Sequence, residues 1–217
     1  MIKAVCREDI FEMSKMADVA VAQRQRFYFD QFNEEDPAVI LSVLPTYDHK
    51  EPTFNTNAPD MGFCIIVYDE ELYGSTYENG FAAAFVKFLK SLAIEQIILM
   101  QDHCRAWDKF GFDEKKDLVK FNKLAGAQMG TNGFLINHSS LSDLLPLLFY
   151  NNPDEGDCSF YTASDNFQLG ILFWKGNLHV QFYKKDLPKL LLAAKEAKLI
   201  LGNRELSLQY RFGKKYE

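Results

Sequence analysis

Residues 62–101 read GFCIIVYDEELYGSTYENGFAAAFVKFLKSLAIEQIILMQ, and the order of apolar blocks in this stretch decides the expected fold class. Phe63 to Tyr68 and Ile97 to Met100 are short, unbroken apolar runs. Runs of this kind suit strands covered on both faces, as in a parallel sheet. Between them Phe81, Phe85, Phe88, Leu89 and Leu92 recur at spacings of three and four, which marks one face of a helix. Ala82, Ala83 and Ala84 favour that helix and let it lie close to a sheet, and Ser75 with Glu78 has the spacing of a capping box. The stretch therefore predicts a β-α-β unit with a right-handed parallel crossover.

Toward the C-terminus the pattern first repeats and then changes. Asp113 and Glu114 open a helix carrying Leu118, Phe121 and Leu124, which Gly126 ends. Gly133 to Asn137 predicts a third parallel strand, and 139–150 a helix that Pro146 delays or kinks. Residues 151–157 form an acidic, turn-rich loop. From 158 onward the period is two. Phe167, Leu169, Ile171 and Phe173 alternate, as do Leu178, Val180 and Phe182, with turn residues Lys175, Gly176 and Asn177 between them. Ser159 to Ala163 predicts a preceding strand, Asp186 and Pro188 open an apolar helix through Leu201, and Leu206 to Phe212 alternate as a last strand.

Toward the N-terminus, residues 8–32 predict a long helix with Met13, Met16, Ala17, Ala20 and Phe27 along one face. Asp36 and Pro37 start a short second helix that Pro45 stops, and 45–61 read as a long loop. The expected organisation is one domain. It comprises a helical arm over 1–45, a β-α-β core over 60–150, and antiparallel strands with a helix over 157–213.

With 217 residues, 47% of them hydrophobic and 19 phenylalanines among them, the chain can bury a large core without disulfide or metal staples. A net charge of −6 disfavours nucleic acid, whose phosphates require cations. The first residues lack the apolar block of a signal peptide, and no apolar run nears the ~20 residues of a membrane helix. Cys6, Cys64, Cys104 and Cys158 are scattered without a C-x-x-C pair, which suits reduced thiols and a cytoplasmic location.

Chemistry is expected at the carboxyl edge of the parallel strands, where open α/β sheets bind ligands. The predicted strands run out into Asp69, Glu70 and Glu71, into Asp102, His103 and Cys104, and into Asn137, His138 and Ser139. Asp69, Asp102, His103 and His138 could ligate a divalent metal that activates water. Alternatively, Cys104 could serve as a nucleophile with His103 or His138 as base. The plain alternatives are polar loops that are simply exposed, and a core cysteine beside Trp107 and Phe110. Gly74, Ser75 and Thr76 offer an anion seat at a helix start, but match neither a Walker nor a dinucleotide fingerprint. No cofactor is indicated.

The expectation is thus an α/β or α+β protein, specifically a three-layer flavodoxin-like, partly parallel core with a C-terminal antiparallel hairpin extension. The leading functional expectation is a non-catalytic interaction or regulatory protein. Its acidic surface and abundant aromatics would meet a protein partner or a second copy of the chain, with neither nucleic acid nor membrane involved. The competing expectation is a small hydrolase or transferase using the metal- or thiol-based edge.

Overall fold

The computed structural model describes residues 2–21, 60–68, 75–101, 107, 112, 115–126, 130, 133–148, 158–163, 166–174, 177–202, 210–211 and 214–215. The strands are β1 Ile2–Val5, β2 Met61–Tyr68, β3 Gln96–Gln101, β4 Gly133–Asn137, β5 Cys158–Thr162, β6 Leu169–Trp174, β7 Asn177–Tyr183 and β8 Leu199–Gly202. The helices are α1 Arg7–Met13, α2 over 15–21, α3 Ser75–Ser91, α4 Lys115–Ala125, α5 His138–Leu144 and α6 Leu187–Glu196. A separate two-stranded ribbon pairs β9 Tyr210–Arg211 with β10 Lys214–Lys215.

The eight strands form one sheet in the order β1-β4-β3-β5-β6-β7-β2-β8, and every neighbouring pair is antiparallel. This overturns the flavodoxin-like, partly parallel core. β2 and β3 do point the same way and α3 does join them. However, β5, β6 and β7 lie between them, so the two never pair. β4 pairs with β3 in the opposite sense, with Gln96 beside Asn137 and Leu99 beside Phe134. The unbroken apolar runs record burial on both faces, which a central antiparallel strand shares with a parallel one.

One face of the sheet carries the main core. Ile66, Leu99, Phe134, Phe160, Ile171, Phe173 and Val180 pack there with the buried faces of α3, α5 and α6. α3 dominates this layer because Phe81, Phe85, Phe88 and Leu89 are fully buried. Phe81 meets Phe173 at 6.0 Å between ring centroids and Phe85 meets Phe160 at 6.1 Å. A second aromatic cluster joins Trp107, Phe121 and Phe134, with the Trp107 and Phe121 rings stacked 5.0 Å apart. Burying a phenylalanine stabilises by about 1.5–3 kcal/mol, so α3 is held chiefly by these rings.

The opposite face is covered at one end by the N-terminal helices. Ile10 of α1 and Met16, Ala17 and Ala20 of α2 pack on Ile98, Met100 and Tyr161. The sequence pattern predicts one helix over 8–32. Among the described residues there are two, because Ser14 takes an extended conformation and its Oγ accepts from the Ala17 amide. Arg7 Nη2 donates to the Gln101 carbonyl at 2.7 Å, tying α1 to the end of β3.

Two further boundaries differ from expectation. The helix predicted over 139–150 turns into a 3-10 segment at Leu145–Leu148, where Pro146 cannot donate an α-helical hydrogen bond. α6 stops at Glu196 rather than Leu201, since Lys198 adopts φ 60° and Leu199–Gly202 turns back as edge strand β8 against β2. The predicted Leu206–Phe212 strand lies outside the described residues except for Tyr210 and Arg211. The expected helix over 37–44 and loop over 45–61 fall outside them apart from residues 60 and 61.

Candidate functional site on the outer face of α6

α6 and its approach read KKDLPKLLLAAKEAK over 184–198. Pro188 stands in the first turn, where a missing amide hydrogen costs nothing. Leu190, Ala193, Ala194 and Ala197 recur at helical spacing and are all buried against the core. The small alanines let the helix approach the sheet layer closely. The remaining leucines point away. Leu187 is 37% exposed, Leu191 50% and Leu192 60%.

Lysines surround this apolar strip. Residues 184–198 hold five lysines against Asp186 and Glu196, a local net charge of +3 in a chain whose total is −6. Lys195 lies three and four positions beyond Leu192 and Leu191, hence beside both on the helix surface. Lys189 flanks Leu192, and its Nζ lies 5.9 Å from the Phe167 ring. Lys184 pairs with Asp60. A groove of about 320 Å³ runs alongside, between Leu192, Lys189 and Glu196 on α6 and the turn at Leu92 and Ala93 that ends α3. Ala93 adopts φ 55° in that turn. The arrangement can bury leucine side chains and neutralise carboxylates.

Of the strand-end candidates for a metal or thiol site, His138 is the one among the described residues. Asp69, Asp102, His103 and Cys104 lie outside the described residues, as do Gly74 and His49. His138 opens α5, and its Nε2 donates to the Ile94 carbonyl at 2.5 Å, which withdraws that nitrogen from metal binding. Because β4 runs against β3, His138 stands at the edge where β3 begins. Gln101 ends β3 five residues beyond Gln96, at ~3.4 Å per residue some ~17 Å along the strand. β4 therefore does not deliver His138 to the edge where β2 and β3 finish. No group of three or more His, Cys, Asp or Glu side chains suited to a metal ion occurs among the described residues.

The described thiols are poor nucleophiles. Burial pushes the Cys64 thiol up to about 12, and Cys158 is wholly buried. Cys6 is exposed, but its Sγ donates to Glu8 at 2.7 Å, and that carboxylate raises its pKa.

Most aromatic side chains among the described residues are core. Among the described residues Phe63 is the aromatic ring left substantially exposed, at 56%. The stretch from Phe27 to Phe32 lies outside them. The sequence reading took 186–201 as a packed helix and missed its outward leucines. The signal was present in Leu190, Leu191 and Leu192, since three consecutive helical positions span about 200° and cannot share one face.

Comparison with protein-family models, with curated proteins and with solved structures finds no match for this chain.

Proposed function

We propose that this is a non-catalytic interaction protein that docks a protein partner on the outer face of α6. The observation that carries this reading is the strip formed by Leu187, Leu191 and Leu192, exposed to water beside Lys189 and Lys195. Burying apolar surface contributes roughly 25 cal/mol per Å², and leucines ringed by cations favour a partner that presents apolar side chains among Asp and Glu. A second copy docking face to face would bring two positive strips together. No helix among the described residues is long and apolar enough to cross a membrane.

Photo-crosslinking tests this reading. A photoreactive residue placed at Leu192 is expected to capture a protein in cells of the source organism. The same residue at Val119, which is 66% exposed on α4, is expected to capture nothing comparable. The captured peptide should hold carboxylates next to apolar residues, and the adduct should disappear when Lys189 and Lys195 are both changed to Glu. Adducts only with another copy of the chain or with lipid, or adducts indifferent to the charge reversal, would overturn the proposal.

A further inference from the structure

The groove beside α6 has two unlike ends. Lys189 stands toward one and Glu196 toward the other, seven positions apart and so ~10.5 Å along the helix. Both are exposed, and neither forms an ion pair among the described residues. Between them the surface is apolar. Leu92, Phe167 and Ala193, each nearly buried, make the floor, and Leu192 makes the α6 rim. The Lys189 Nζ is held over the Phe167 ring, at the floor. Exposed Ser91 and Ala93 form the facing wall, where α3 ends.

We infer that the partner docked by α6 lays an α-helix in this groove, seating one aromatic side chain between a carboxylate over Lys189 and a cation over Glu196. The inference rests on the reading of α6 as a docking face and gives the form of what docks there. Backbone chemistry selects a helix. The amides of Leu92, Ala93 and Ile94 are spent on carbonyls of α3, and those along α6 are spent within the helix. An extended segment would gain nothing from the amides of either wall, whereas a helix brings its own hydrogen bonds. Volume sets the anchor. A cavity of about 150 Å³ accepts benzene, so a groove of about 320 Å³ takes a phenyl or indole ring. Charge sets the flanks. Two carboxylates would set one against Glu196, and two cations would set one against Lys189, so a mixed pair is selected. Residues seven apart on a helix share a face, with the anchor three or four positions from each.

The test places a photoreactive residue on each wall of the groove in the full chain, at Leu192 or at Ser91. Both are expected to capture the same protein, within one segment that carries an aromatic residue between an acidic and a basic one. A synthetic peptide of that segment should bind the full chain in a fluorescence anisotropy titration. Its aromatic residue changed to Ala should weaken binding at least ~10-fold. Glu196→Lys, an exposed change that the fold should tolerate, should weaken it ~5-fold, and changing the peptide's basic residue to Glu should restore it. Capture from Leu192 without capture from Ser91, a segment lacking the aromatic residue, or no rescue by the reversed charge would overturn the helix-in-groove inference and leave the α6 reading standing. Capture from neither position would overturn both.

Discussion

At the scale of single residues, two positions carry consequences that the rest of the chain does not soften. Gly62 pairs with Phe182 across β2 and β7, and a Cβ there would lie 2.6 Å from Phe182 Cζ. The ring lies over the glycine where a side chain would otherwise stand. Gly62→Ala is therefore expected to destabilise the fold by about 1–3 kcal/mol, as overpacking does, read as a lower urea midpoint. Combining it with Phe182→Leu should cost less than the two single changes together, and strict additivity would show that the clash is not the cause. His179 supplies the second consequence. Burial lowers its folded pKa below 6.5, so between the folded and ordinary values the unfolded chain binds more protons. Its contribution to stability is complete above 6.5 and declines as pH falls below it. Melting temperature measured from pH 7.5 down to 5 should fall less in His179→Phe than in the wild type. Equal slopes would show that other groups dominate.

At the scale of elements, strong periodicity was legible and boundaries were less so. The helix pattern in Phe81, Phe85 and Phe88 predicts α3, and the alternation in 169–173 and 178–182 predicts the β6-β7 hairpin. Gly126, at φ 77°, ends α4 where the pattern places it. β8 was illegible for a physical reason. Leu199 packs in the main core, Ile200 against Ile65 and Val67 on the other face, and Leu201 back toward the core. A strand apolar on both sides has no period, so it reads as more of the preceding helix. The outward leucines of α6 were hidden by the same ambiguity, because an apolar helix gives no sign of which side is covered. β1 is too short, at four residues, to show a pattern before α1 begins.

At the scale of the whole molecule, what the sequence withheld was adjacency. Burial on both faces can be read from Ile65, Ile66 and Val67, but not the identity of the neighbouring strands. His138 illustrates the cost. Its position after a strand is correct, yet the antiparallel sense of that strand sends it to the other edge of the sheet. An edge site built from loop residues depends on strand direction more than on residue type.

The insertion of β5, β6 and β7 between β2 and β3 also bears on how the chain reaches its native state. Ile65 finds its partner His179, and Leu99 its partner Phe160, only after a long intervening segment has been made. Contacts so distant in sequence close slowly, because loop entropy is lost before the pairing is gained. A chain ending at residue 157 holds β2, α3, β3 and β4 but no strand to join β2 to β3. It is expected to show no cooperative melting transition and to bind a hydrophobic dye, whereas a sharp melt would place the folding unit within the first 157 residues. During synthesis, Phe81 and Phe85 emerge well before Phe173 and Phe160 exist to cover them. The growing polypeptide thus passes through an interval in which its stickiest surface is complete and its cover is not, and shielding by a chaperone matters most then.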